Sequence, residues 1–297
     1  KWPLAERPRD VPLVGESHAR LVVAPDARGG FGFWEGFEGG FQLNDPWLHG
    51  TRLAEPRRFP GYQSDVVCAR AGEWIAAAAR GPWFCVVSLE PPHPPYDAPA
   101  AGVPSRDPAS LRLARNVPAT AAARARRELA GYHAHLEATD RAVGRLLEAA
   151  GRDRCAVVFP SVHGDMHGAH GLFRKGWPHE ESVRVPLLVR APRARPRRDP
   201  APVSLLDLPA LTRALASGAE PAFDRGHALI SMPSVVALPH QCDRVWRGVR
   251  TKERKLVLND DGSTWLFFDL AVDPGETVNL AADPARAREI ARFAALA

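Results

Sequence analysis

Long apolar stretches are missing from this chain of 297 residues. No run approaches the roughly eighteen consecutive apolar residues that a membrane helix needs, so no membrane span is expected. Cysteine is scarce. Cys68, Cys85, Cys155 and Cys242 stand far apart with no C-x-x-C pair, which excludes the usual zinc-site spacings. Cys85 and Cys155 lie inside apolar runs and read as buried free thiols. Internal repeats are absent, and so is a concentrated basic face. The formal charge of +5 comes from dispersed arginines, so nucleic acid is not an expected partner. The densest basic cluster, Arg193 to Arg198, contains Pro196 and is followed by Pro200 and Pro202; it reads as an exposed linker, with a patch for acidic ligands as the other reading. No signal peptide is visible, but the chain opens on Lys1 rather than Met. A soluble cytoplasmic or periplasmic protein fits equally, and the compartment and oligomeric state stay open.

What the sequence does contain is an alternation of apolar runs and amphipathic stretches. A hydrophobic content of 45% over this length can bury one large core and a smaller unit. Helices are expected from Ser64 to about Ala79, from about Ala121 to Ala150, and from the Ser204–Asp207 capping-box pattern to Ala216. Strands are expected at Trp83–Leu89, Cys155–Phe159 and Val185–Val189, with a long proline-rich loop from Pro91 to Pro118. This order argues for an α/β domain with a mostly parallel sheet over residues 1–235. Beyond it the pattern changes. Trp246–Thr251, Lys255–Leu258 and Trp265–Leu270 read as short strands joined by turns, and Asp283-Pro284 opens a last helix. Residues 244–297 are therefore expected to form a small antiparallel α+β subdomain.

The chemistry is concentrated in Ser161–Ser182, SVHGDMHGAHGLFRKGWPHEES. This glycine-rich polar loop follows a predicted buried strand, the place where open α/β sheets put ligands. Its glycines let backbone approach a small anion. His163, His167 and His170 can bind a metal or move protons, and Lys175 can meet a negative charge. A second candidate is His93, held among prolines in Pro91-Pro92-His93-Pro94-Pro95. His133 and His135 fall on the long helix and read as surface or packing residues. Glu180 and Arg184 read either as a structural ion pair or as catalytic groups.

The 161–186 segment closely resembles the sulfatase family of the alkaline-phosphatase superfamily. That family's pattern runs S-D-H-G-D-x-x-G-x-H-G, then a basic residue, Lys and Gly, then an aromatic-x-E-x-S-x-R-V-P stretch. Here it is met by Ser161, His163-Gly164-Asp165, Gly168, His170-Gly171, Arg174-Lys175-Gly176, Glu180-Glu181-Ser182 and Arg184-Val185-Pro186. Further pieces follow in family order: Lys1-Trp2, Gly32-Phe33-Trp34 to Gly36-Phe37, Trp83 to Pro99, and Trp246 to Leu280 with its F-D-L-x-x-D-P-G-E-T-V-N-L tail. The resemblance implies an alkaline-phosphatase-like fold and hydrolysis of a small sulfated substrate with a divalent cation, usually calcium. It makes His93 a sulfate contact and proton source, Lys175 a sulfate contact, and Lys1 a neighbour of the nucleophile. It makes His163 a metal ligand, with His167 and His170 beside the substrate.

The departures are equally definite. The family's paired aspartates and its C-x-P-S-R box, whose cysteine or serine becomes the formylglycine nucleophile, do not occur in this chain. Gly102-Val103-Pro104-Ser105-Arg106 echoes that box but carries glycine at the nucleophile position and lies on the wrong side of His93. Val162 replaces the aspartate of the D-H metal pair, and Pro3 replaces the histidine two residues after the family lysine. The expectation is a carboxyl-terminal portion of a sulfatase whose nucleophile lies outside this chain. A phosphate or phosphonate ester hydrolase of the same superfamily and a catalytically degenerate binding homologue are the alternatives.

Overall fold

The structure is a computed structural model that describes residues 7–78, 81–151, 154–192, 194–219, 223, 226–235 and 238–297. Lys1, Pro3 and Arg193 lie outside the described residues. The chain is mixed α/β and divides into two compact units, residues 1–111 with 126–154, and residues 112–125 with 155–297.

In the first unit, the single turn α1 (Glu16–Ala19) precedes a small antiparallel sheet of β1 (Glu35–Gly36), β2 (Trp47–Gly50) and β3 (Leu53–Arg58). Nothing in the residue pattern announces this sheet. β1 is two residues long, and β3, Leu-Ala-Glu-Pro-Arg-Arg, lacks alternation and carries a proline that only an edge strand tolerates. Helix α2 (Gln63–Ala78) and the 32-residue α3 (Ala119–Ala150) form where their apolar positions recur at helical spacing. The core joins Leu43, Tyr62, Ala100, Val103, Ala134 and Ala138. His135 is wholly buried here, with Nδ1 placed 2.9 Å from the Tyr62 hydroxyl, so it is a packing residue. The 83–89 stretch keeps its alternation, with Phe84 and Val86 exposed between half-buried neighbours, but it is assigned to no strand. Alternation sets which side chains face outward; a strand also needs a partner ladder.

In the second unit, β4 (Val157–Pro160) and β5 (Leu187–Arg190) flank the motif segment and the short helix α4 (Glu180–Val183). The two strands pair antiparallel, Val157 opposite Arg190 and Pro160 opposite Leu187. These two strands are thus an antiparallel pair within the mixed α/β fold. A parallel return requires a crossover long enough to carry the chain back along the sheet. Here α4 has four residues, and the Ser161 amide donates to Pro186 O at 3.2 Å and the Gly164 amide to Ser182 O at 2.8 Å. The chain thus re-enters at the end where it left. Among the described residues every strand pairing is antiparallel; the one parallel contact is the isolated Val14–Gly40 bridge.

Next come α5 (Leu208–Ala216), opened by a reciprocal Ser204–Asp207 capping box, and a four-stranded sheet of β6 (His227–Met232), β7 (Trp246–Thr251), β8 (Arg254–Asn259) and β9 (Thr264–Asp269). The sheet starts at 227, ahead of the boundary at 235–244 read from the pattern. Asp283 caps the last helix with Pro284 at its first position, and α6 (Ala287–Ala294) follows. Both faces of the sheet are covered. Val249, Leu256, Leu258 and Phe267 pack with Phe293 and Ile290 of α6. Trp246, Val257, Leu266 and Phe268 face Trp177 and Val183 of the motif segment. Period-two alternation thus sends alternate residues to a helix and to the loop that carries the chemistry.

Candidate active site

Residues 161–176 form a closed loop. Met166 N donates to Arg174 O at 2.9 Å and Gly168 N to Leu172 O at 2.8 Å, so the two arms run side by side. Asp165 braces them, its Oδ1 accepting from the amides of His167 and Arg174, both at 3.0 Å, while Arg174 Nη1 stands 3.6 Å from Oδ2. His163 and Lys175 sit on opposite arms, at the base of this loop. Gly164 is required by crowding, since a Cβ there would lie 1.9 Å from Glu181 O. The segment buries Met166 and Phe173 as anchors, Phe173 packing with Ala121 and Ala125 of the first turns of α3.

His163 Nδ1 lies 2.9 Å from Gly164 O. A carbonyl only accepts, so Nδ1 carries the proton and the lone pair falls on Nε2, the tautomer a metal ligand needs. Val162 beside it is 80% exposed and offers no donor atom. Asp165, the remaining carboxylate of 161–176, is turned inward to brace the loop. Calcium takes several oxygen ligands; this segment offers a histidine nitrogen and a carboxylate committed to loop amides, so it does not by itself make a calcium site.

His93, in the first unit, repeats the ring clamp. Its Nδ1 lies 3.0 Å from Pro94 O, its amide donates to Glu90 O at 3.1 Å, and its ring stacks on Phe41 at 4.5 Å. The protonated Nδ1 again leaves the lone pair on Nε2. Each histidine is held by the carbonyl of the next residue. Lys175 is fixed through its backbone, its carbonyl accepting from Cys242 N at 3.4 Å.

His170 has a left-handed backbone, φ 55°, held by Asn116. The His170 amide donates to Asn116 O at 2.8 Å, and Asn116 Nδ2 lies 3.1 Å from His170 Nε2, 2.7 Å from Glu181 Oε1 and 3.1 Å from Gly275 O. The His170 ring stacks on His179 at 4.1 Å. Burial, then the neighbouring His179, hold the His170 pKa below the usual histidine value against the pull of Glu181, Glu276 and Asp273. His170 is therefore neutral at pH 7. His167 Nδ1 is 3.7 Å from Asp165 Oδ1.

Beneath this turn lies a set of residues of which the sequence pattern singled out only Glu180. Lys255, wholly buried, pairs with Glu276 at 2.6 Å and Glu180 at 2.8 Å, and donates to Pro178 O at 3.0 Å. Arg250 adds a 3.0 Å bond to Glu180, and the Glu180 amide donates to Glu276 Oε2 at 2.7 Å. Burial raises the carboxyl pKa of Glu180, but Lys255 and Arg250 outweigh it and the net shift is downward. In Glu276 burial is likewise outweighed, by His179 and Lys255. Glu180 is thus a structural partner of Lys255 and Arg250, and Arg184, 3.9 Å away, is peripheral. His170, His179 and Glu276 bring one possible ligand atom each within 4.8 Å of one another. The Lys255 ammonium already supplies positive charge beside Glu276 Oε1, and Oε2 accepts from the Glu180 amide, which argues for an ion-pair core rather than a metal centre. The signals for this core were a lysine inside a hydrophobic strand and the glutamate of the D-P-G-E-T tail.

A family model described as Sulfatase matches residues 18–218. The chain belongs to the sulfatase family. It is 30% identical over 91% of its length to the ulvan-active sulfatase of Formosa agariphila, and 29% identical over 69% to the choline-sulfatase of Rhizobium meliloti. It spans 58% and 46% of those two relatives. Among solved structures, the Bacteroides fragilis protein yidJ, described as a sulfatase, superposes with a TM-score of 0.78 at 24% identity over 97% of this chain and 70% of that one. The phosphonate monoester hydrolase of Agrobacterium radiobacter gives 0.60 at 23% identity over 80% and 61%. These neighbours show the fold, which is alkaline-phosphatase-like. Among the described residues of this sulfatase-family chain, no helix is long and apolar enough to cross a membrane.

Proposed function

We propose that this chain forms part of a sulfuric ester hydrolase acting on a small sulfated substrate, and that it supplies the leaving-group side of the reaction. The observation that carries this reading is the braced 161–176 loop, which sets His163 and Lys175 on its two arms with the His163 lone pair on Nε2. Lys175 contacts the sulfate and neutralises charge growing on the leaving oxygen. His93, as the imidazolium with a second proton on Nε2, gives that oxygen a proton and is left with its lone pair on Nε2. Lys1, which lies outside the described residues, is assigned by the family resemblance to the nucleophile, a formylglycine outside this chain. His163 would be one ligand of a divalent cation that would offset the sulfate charge when bound, and a calcium ion there would need its oxygen ligands from outside the 161–176 loop. His167 and His170 line the substrate.

A second reading, a homologue that binds but does not turn over substrate, is favoured by two positions. Val162 offers no ligand and Pro3 no proton. Losing one such group typically costs about 10²–10⁴ in rate. The test assays the full-length protein on an aryl sulfate with added calcium, beside Val162→Asp/Pro3→His and Lys175→Ala. Weak turnover, partly recovered in the double variant and lost in Lys175→Ala, is expected. Robust wild-type turnover would show that other residues replace the missing ligand and acid. Hydrolysis of a phosphonate or phosphate ester in preference to the sulfate would move the chain to the other branch of its superfamily. No turnover by either protein would favour the binding homologue.

A further inference from the structure

Two hydrogen bonds, one from the first residue of β7 and one from the loop that precedes it, fall on the backbone at and after Lys175. Trp246 Nε1 donates to Gly176 O at 2.7 Å, and Cys242 N donates to Lys175 O at 3.4 Å. Consecutive carbonyls are thus held by β7 and the loop that leads into it. Trp246 opens β7, is 2% exposed, and belongs to the apolar cluster that includes Trp177 and Val183. Its indole has one donor and no acceptor, so its position fixes where the Gly176 carbonyl must be. Gly176 cannot adjust easily. Its φ is +88°, and a Cβ would meet Met232 Cε at 3.1 Å and Cys242 Cβ at 3.3 Å. Trp177 ties the following turn, its indole lying 3.3 Å from both Phe173 O and His240 O. The sheet therefore grips the chain on the carboxyl side of Lys175, while Asp165 grips it on the amino side through the Arg174 amide.

We propose that Trp246 is a positioning residue for Lys175, and that the antiparallel sheet, which carries none of the candidate site residues, sets the direction in which that ammonium points. This rests on the reading of Lys175 as the sulfate contact. Lysine is a long, flexible side chain whose charge acts at a point. Its usefulness at a leaving oxygen depends on where its backbone is anchored, and a displacement of about 1 Å at a reacting group can cost on the order of 10² in rate.

The experiment compares wild type with Trp246→Phe, which keeps the ring and removes the indole donor, and with Gly176→Ala, which disturbs the same carbonyl from its other side. Lys175→Ala is the reference. In full-length protein, kcat is read on aryl sulfates of graded leaving-group pKa. A misplaced Lys175 leaves the leaving oxygen's charge less compensated. Trp246→Phe is therefore expected to lower kcat about tenfold, with KM little changed and a steeper dependence on leaving-group pKa. Gly176→Ala should behave alike, and Lys175→Ala should be steeper still. A merely structural role would lower the thermal midpoint without changing that slope, and this result overturns the proposal.

Where turnover is too low to measure, reductive methylation supplies the readout. The chain has four lysines, Lys1, Lys175, Lys252 and Lys255, of which buried Lys255 reports on unfolding. Inorganic sulfate should protect Lys175 in wild type and protect it less in Trp246→Phe, with Lys255 unreactive in both. Equal protection in both proteins overturns the role of Trp246. Absence of protection in wild type sinks the sulfate contact itself, and with it the reading on which the role depends.

Discussion

Asp165 shows how little of a residue's work is visible in its type. Beside His163 in a motif, it looks like a metal ligand or a base. In the fold it spends one oxygen on two backbone amides of the loop. Replacing it with alanine leaves those amides without their acceptor, at a cost of about 1–3 kcal/mol each if they stay buried. Asp165→Ala should therefore lower the unfolding midpoint and loosen the loop, seen as faster amide exchange at His167 and Arg174. Val162 is the opposite case. Its side chain is 80% exposed and holds nothing together. Val162→Asp should leave the melting curve unchanged and strengthen calcium binding, measured by direct titration on the full-length protein. A melting shift as large as that of Asp165→Ala would mean that Val162 has a packing role after all.

At the scale of elements, the Lys255 core ties β7, β8, α4 and the 273–276 turn. Lys255→Met removes the ammonium and leaves Glu180 and Glu276 buried, and breaking a buried pair typically costs about 3–5 kcal/mol. Adding Glu180→Gln and Glu276→Gln should recover a large part of that loss in denaturant titrations. The pH dependence follows from the two carboxyl groups. Both folded pKa values lie below the ordinary one, so the unfolded state takes up protons first as the pH falls. Their contribution is complete above about pH 4.5, the unfolded range for a glutamate, and is lost as pH drops through the folded values. Buried His170 acts in the same direction from a higher pH. Its folded pKa is lowered, so its contribution is complete above about 6.5 and declines below it. Stability should thus fall on acidification in two stages, and Glu180→Gln/Glu276→Gln should flatten only the lower one.

On the scale of the molecule, apolar surface is distributed unevenly. Phe84 and Val86 are exposed by more than half in the first unit, and Phe159, Leu188 and Val189 are exposed on β4 and β5 in the second. Among the described residues, β4 and β5 pair only with each other, so each keeps an open edge. Exposed apolar strands with open edges favour association. Leu188→Lys with Phe84→Lys should reduce concentration-dependent light scattering and binding of an apolar dye, with circular dichroism unchanged. Undiminished scattering would place the sticky surface elsewhere.

Local physics determined much of this protein in advance. Helical spacing set α2 and α3, the Ser204–Asp207 box opened α5, and Asp283-Pro284 opened the last helix, because caps and periodicity act within a few residues. The motif loop and the alternating β7–β9 strands were legible for the same reason, and so was the family, through residues kept in order. What only the tertiary structure decided depends on partners far along the chain. The antiparallel return of β5, the unpaired 83–89 stretch and the small 35–58 sheet follow from which segment lies beside which, and composition does not encode that. The buried Lys255 and the indole of Trp246 under Gly176 became visible only once a sheet from residues 227–269 was packed against a loop from residues 161–182. A side chain's role is set by the atoms it meets, and these meet across about 70 to 100 residues of chain.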